Sequence, residues 1–201
     1  MTFKRWFAAG LVVLVLILGA SIAGGYNSLV ALDQAVRAQW GQVENVYQRR
    51  ADLVPNLVET VKGAAAFEKE TYVAVADARS RVGQISAGGL EKIVNDPQAF
   101  QRFQQAQDGL SSALSRLMVV AERYPDLKAT GAFRDLQAQL EGSENRITVE
   151  RMRFNEAAQS FNTRRQSFPT VFIANMFGDR FKEKSFFQAQ AGSEVAPKVK
   201  F

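Results

Sequence analysis

From Tyr26 onward, positions in alternating steps of three and four are mostly apolar: Tyr26, Leu29, Asp33, Val36, Trp40, Val43, Tyr47, Arg50, Val54, Leu57, Val61, Ala64, Glu68, Thr71, Val75, Ala78, Val82 and Ile85. Such steps follow the 3.6-residue turn of an α-helix and place these residues on one stripe. A second stripe runs through Phe100, Phe103, Leu110, Leu114, Leu117 and Tyr124. A third runs through Phe133, Leu136, Leu140, Ile147, Phe154, Ala157, Phe161 and Phe168. Sustained three-four spacing predicts long helices packed side by side at shallow angles, and strand-type alternation is absent.

Prolines, glycines and capping residues divide the stripes. Pro55 interrupts the first one, but the spacing keeps its phase through it. That favours a kink over a reversal, with a hairpin near Gly63 as the other way to shorten the rod. Gly83, Gly88 and Gly89 mark a loop, and Asn95-Asp96-Pro97 reads as a helix start with Asp96 as cap and Pro97 in the first turn. Pro125 stops the second stripe. The third begins near Thr130 and ends at Pro169, and residues 170–178 could add a short fourth helix. Short connections make neighbours antiparallel, so the expected fold is all-α: an N-terminal membrane helix followed by an up-and-down bundle. The expected division is an anchor over residues 1–25, a bundle over 26–178 and an irregular aromatic and basic tail over 179–201.

The anchor is read from residues 6–25, which follow Lys4 and Arg5 and carry no charge. About 20 residues rising about 1.5 Å each cover roughly 30 Å, the hydrocarbon thickness of a bilayer. Small residues around Ser21 to Ala23 would also suit a signal peptidase, but the apolar run is longer than a signal peptide needs, so retention as an anchor is expected. Lys4 and Arg5 precede the span, and the first basic residue after it is Arg37. The positive-inside rule then puts the N-terminus in the cytoplasm and the bundle on the outer face.

Composition removes whole classes of chemistry. The chain has no histidine and no cysteine, which excludes Ser-His-Asp triads, thiolate metal sites and the Glu-x-x-His di-iron sites of helical bundles. The 25 basic residues are interspersed with 20 acidic ones, so no basic block points to nucleic acid. No cofactor, metal site or catalytic residue is expected. Glutamates at helical spacing on the third stripe, Glu141, Glu144, Glu150 and Glu156, read as a solvated face pairing with Arg146, Arg151 and Arg153.

Five charges fall where the stripes call for apolar side chains: Asp33, Arg50, Glu68, Glu150 and Arg164. A charge facing a core is costly unless paired, so these should pair with one another or lie at a wet edge, setting register. The functional alternative is a polar groove for a ligand or partner in which Asp33, Arg50 and Glu150 converge. Phe168, Phe172, Phe177, Phe181, Phe186, Phe187 and Phe201, interleaved with Lys182, Lys184, Lys198 and Lys200, read as rings covering one end of the bundle. A membrane or self-association contact is the alternative.

The block Arg49-Arg50-Ala51-Asp52-Leu53-Val54-Pro55-Asn56-Leu57-Val58 resembles the LemA family, as do Tyr124-Pro125-Asp126-Leu127, Glu144-Asn145-Arg146-Ile147, Phe168-Pro169 and Phe186-Phe187. The resemblance covers nearly the whole chain. It implies a bacterial protein with one N-terminal transmembrane helix and a four-helix bundle, and it implies no activity or cofactor. Its matched polar positions include Asn27, Asp52, Asn56, Glu68, Glu144, Asn145, Arg146, Asn155 and Asn162, read as caps, support for the helix around Pro55 and interhelical hydrogen bonds. The expected function is a membrane-anchored scaffold or adaptor of the bacterial envelope, binding another envelope protein or copies of itself. The alternative is a small-ligand receptor or enzyme using the bundle carboxylates and arginines.

Overall fold

The computed structural model describes residues 2–64, 69–86 and 89–189. Glu68, Gly88, Lys198, Lys200 and Phe201 lie outside the described residues. Helix α1 (Thr2–Ala64) runs unbroken from the apolar segment through Pro55. The reversal comes after Ala64, so the first stripe is carried by two helices, α1 and α2 (Lys69–Ser86). One long rod is thereby replaced by a pair, which makes the bundle four-helical. Pro55 does not turn the chain, because one missing backbone donor costs less than abandoning a stripe that is buried on both sides of it.

A short helix α3 (Leu90–Asn95) precedes α4 (Pro97–Ala121). Asp96 caps α4, its side chain accepting from Gln98 N, with Pro97 at the first helical position where no donor is needed. After Tyr124 a single turn, α5 (Pro125–Ala129), leads to α6 (Gly131–Gln166). Thr130 caps α6 by accepting from Phe133 N at 3.3 Å. Then follow α7 (Thr170–Met176) and a 3₁₀ turn (Gly178–Phe181). Residues 182–189 have no regular secondary structure. No strand occurs among the described residues.

The longest contact is between α1 and α6, which run antiparallel: Ser28 meets Arg164, Gln39 meets Glu150, and Arg50 meets Glu144. Helix α2 packs mainly on α4. Two apolar cores result. One, nearer the N-terminal segment, is built on Trp40, with Phe100, Phe103 and Phe154 within 6 Å of its ring. The other, at the far end, gathers Leu57, Val61, Val75, Leu114, Leu117 and Phe133. Each buried Leu or Phe contributes about 1.5–3 kcal/mol relative to exposure. By contrast residues 6–24 are all exposed, and Gly25, which follows them, is buried.

A polar layer between two apolar cores

The two cores are separated by a layer of polar side chains. Arg50, 1% exposed, extends from α1 into the bundle. Its Nη1 donates to Ser111 Oγ at 2.7 Å and to Glu144 Oε1 at 2.8 Å. Its Nη2 donates to Gln107 through both the side-chain and the backbone oxygen. One turn back, the Tyr47 ring lies 5.1 Å from the guanidinium, and the Tyr47 hydroxyl accepts from Arg151 Nε at 2.6 Å. Arg151 also reaches Asp108 at 3.2 Å. Burial raises the Tyr47 pKa, against the opposing charges of Arg151 and Arg50. For Arg151, burial lowers the pKa, but Tyr47 and Asp108 outweigh it and the net shift is upward. The layer thus ties α1, α4 and α6 together at one height.

Two open clefts flank this layer. One, of about 520 Å³, is bordered by Glu44, Tyr47, Arg79, Val82 and Gln107. The other, of about 590 Å³, is bordered by Ser111, Met118, Gln137, Glu141 and Glu144. Their volumes fall in the range of small-molecule sites. Of their polar lining, Gln107, Ser111 and Glu144 are already engaged with Arg50.

A second polar cluster lies toward the N-terminal segment. Lys184, 2% exposed, leaves the extended tail and places Nζ 2.7 Å from Asp33 Oδ1 and 2.6 Å from Asn95 Oδ1. Its ammonium also lies 4.9 Å from the Phe161 ring centroid. Arg37 holds Asp33 Oδ2 at 2.9 Å. Burial would raise the Asp33 pKa, but hydrogen bonding and charge from Lys184 and Arg37 prevail, so the carboxyl titrates below the ordinary value of 3.8.

Three side-chain amides hold the same tail by its backbone. Asn162 accepts from Lys184 N and donates to Lys184 O, each at 2.9 Å. Asn155 does the same for Phe187, at 2.9 and 3.0 Å. Gln104 does it for Gln188, at 3.3 and 2.9 Å. Each amide replaces the two partners that a neighbouring strand would supply. The Phe187 ring then stacks on Trp40 at 6.0 Å. The tail is irregular in secondary structure yet completes the first core.

Of the four described stripe charges, Asp33, Arg50 and Glu150 pair with charges off the stripes instead of with one another. Arg164 meets a neutral hydroxyl, and the alternative of one convergent groove does not occur. Arg50 takes Glu144, and Asp33 takes Lys184 and Arg37. Glu150 accepts from Gln39 at 2.6 Å and Arg153 at 2.8 Å, and Arg164 donates to Ser28 at 3.1 Å. Asp33, Arg50 and Glu150 do not form one groove: Glu150 of α6 stands level with Gln39 of α1, between the heights of Asp33 and Arg50. Asp52 is exposed and accepts from Gln48. The side chains of Asn56, Asn145 and Arg146 are exposed. Support for the helix at Pro55 comes instead from Arg79, whose Nε donates to Ala51 O at 3.0 Å. Among the described residues, no group of three or more His, Cys, Asp or Glu side chains is placed to hold a metal ion.

The LemA family pattern matches residues 39–201, most of the chain and all of this polar layer. The chain belongs to the LemA family. It is similar to the magnetosome proteins MamQ 1 and MamQ 2 of Paramagnetospirillum magneticum. Each is 27% identical over 190 residues, covering 88% of this chain and 69% of the relative. It is also similar to protein LemA of Metamycoplasma hominis, 21% identical over 151 residues, covering 75% of this chain and 64% of the relative. None of these names states a reaction. For four residues of this LemA bundle the structural role escaped sequence reasoning: Gln107, Ser111, Arg79 and Lys184. Gln107 and Ser111 are polar positions on or beside the second stripe, where a hole in an apolar pattern is the only local signal. Arg79 and Lys184 look like any exposed basic residue until the tertiary fold supplies an acceptor.

Proposed function

We propose that this protein is a membrane-anchored scaffold of the bacterial envelope, whose bundle presents its outer faces to another envelope protein or to copies of itself. One observation carries the reading: residues 6–24 are wholly exposed in the same continuous helix that supplies the bundle core from Gly25 onward. Apolar surface of that length matches the hydrocarbon thickness of a bilayer. The stem is the α1 helix itself, with no break in secondary structure between span and bundle. Helical continuity would let the anchor set the height at which the bundle stands.

The polar side chains inside the bundle support a structural role over a chemical one. Arg50 with Glu144, and Asp33 with Lys184, are held in short charge-paired contacts, though Arg50 Nε has no hydrogen-bond partner among the described residues. Such buried pairs specify register. What remains for partners is the exterior, including exposed Val119 on α4 and Met152 on α6. The chain's charge pattern orients the N-terminus to the cytoplasm and the bundle to the outer face.

The test is photo-crosslinking in intact cells from residues 119 and 152, with the protein at native abundance. A discrete adduct of defined mass from either position supports the scaffold. A protein that yields only uncrosslinked monomer from both positions refutes it. Protease added outside spheroplasts should degrade the bundle; complete protection would reverse the orientation.

A further inference from the structure

The end of the bundle next to the stem carries an apolar face that the core does not use. Helix α6 ends level with the start of the core, since Arg164 in its last turn meets Ser28. The chain then turns through Ser167, Phe168 and Pro169 into α7, which packs on both α1 and α6. Its inner side, Thr170, Ile173 and Ala174, is buried. Ile173 Cδ1 fills the space a β-carbon at Gly25 would occupy, so α7 lies directly against the residue where α1 passes from exposed to buried.

The outer side is bare. Phe168 is 80% exposed, Phe172 67% and Met176 63%. The Phe168 and Phe172 rings meet edge to face at 6.0 Å, forming one aromatic surface. Residues 166–178 contain no charged side chain, and Arg164, Arg165, Arg180 and Lys182 flank them together with Asp179 and Glu183, a net basic set. Arg180 lies over the Tyr26 ring, one residue beyond Gly25. A contiguous apolar patch with a net basic rim is expensive in water and matches the chemistry of the bilayer interface, where rings sit among headgroups and cations meet phosphates. Its place beside the emerging stem decides the occupant, because the same membrane that receives residues 6–24 must lie next to α7.

We infer that α7 with Phe168 is a lipid-docking foot, inserting Phe168, Phe172 and Met176 into the interface of the leaflet from which the bundle rises. The foot rests on the reading of residues 6–24 as a span. Two attachments, a stem and a foot, would fix the tilt of the bundle, which a stem alone leaves free.

The chain has no native cysteine, so single labels can be placed cleanly on the full-length protein. F172C and M176C lie on exposed positions and remove no buried contact. An environment-sensitive fluorophore is attached to each, to L14C within the span and to V119C at the distal end. The proteins are reconstituted in phosphatidylcholine and phosphatidylglycerol vesicles containing a lipid with a nitroxide near its headgroup, and a lipid with the nitroxide deep in its chain. Labels at 172 and 176 should be quenched several-fold more by the shallow nitroxide than the label at 119. The label at 14 should be quenched by the deep one. Quenching at 14 with none at 172 and 176 overturns the foot and leaves the span standing. Absence of quenching at all four positions overturns both. Self-quenching of the 172 label that rises with protein density, without quenching by lipid, would make this face a contact between copies and overturn the lipid assignment.

Discussion

Arg79 Nε on α2 donates to the carbonyl oxygen of Ala51 on α1 at 3.0 Å. Ala51 stands four residues before Pro55, so its carbonyl is the one that Pro55, lacking an N–H, leaves without an intrahelical donor. The guanidinium therefore repairs a defect created by proline on another helix, and in doing so holds α2 against α1.

This relationship is testable by a double-mutant cycle. Arg79→Ala should lower stability by about 1 kcal/mol, the net worth of one hydrogen bond at a partly solvated site. Pro55→Ala restores the N–H and gives Ala51 its own partner. In that background Arg79→Ala should cost much less, and the coupling measured by urea unfolding in detergent should be about 0.5–1 kcal/mol. Equal losses in the two backgrounds would show that the contact is incidental.

The Arg50–Glu144 pair should respond asymmetrically. Glu144→Ala leaves a guanidinium that is 1% exposed with only neutral partners, and a loss of about 3 kcal/mol is expected. Arg50→Met removes the buried charge and keeps most of the volume, while Glu144, with its side chain 40% exposed, can turn to water. Thermal melting should rank Arg50→Met as the milder change. The reverse order would mean that the pair itself, and not the stranded charge, dominates.

Asn162 should control the tail. Asn162→Leu removes both hydrogen bonds to the Lys184 backbone, each contributing about 0.5–1.5 kcal/mol. Hydrogen exchange followed by mass spectrometry should show lost protection over residues 182–189, with little change in the core of α4. Unchanged exchange in the tail would assign its attachment to Lys184 and Phe187 alone.

Acid should loosen the cluster at Asp33. Its pKa in the folded protein is below the ordinary 3.8, chiefly because contacts with Lys184 and Arg37 overcome the opposing effect of burial. A depressed carboxyl contributes stability that is complete above the unfolded pKa and disappears as pH falls through the folded one. Unfolding free energy should therefore decline from just above pH 4 downward in the native chain. Asp33→Asn should be less stable at neutral pH and show a shallower acid slope. Identical slopes would remove Asp33 as the titrating group.

Much of the architecture follows from local chemistry that needs no partner. Asp96 and Thr130 announce the starts of α4 and α6 because a side-chain oxygen just before a helix satisfies a free backbone donor. The stripes identify Trp40, Leu114 and Phe154 as core because burial follows periodicity. The split of the first rod into α1 and α2 was less legible, since a stripe keeps the same spacing whether its helix continues or folds back in phase. The charged positions were visible as exceptions, but their partners were not. Glu144 and Lys184 are 94 and 151 residues from Arg50 and Asp33 respectively, and no local rule connects residues so far apart.

Sequence alone determined that this LemA-family chain is helical, that residues 6–25 are apolar enough and long enough to span a bilayer, and which faces of the rods are buried. Those properties depend on side-chain type and spacing, which are written along the chain. Tertiary structure alone decided that Arg50 meets Glu144, that Lys184 closes on Asp33, and that α7 and the preceding Phe168 turn three large apolar side chains outward beside the stem. Each of these depends on the distance between segments remote in sequence, and only packing sets that distance.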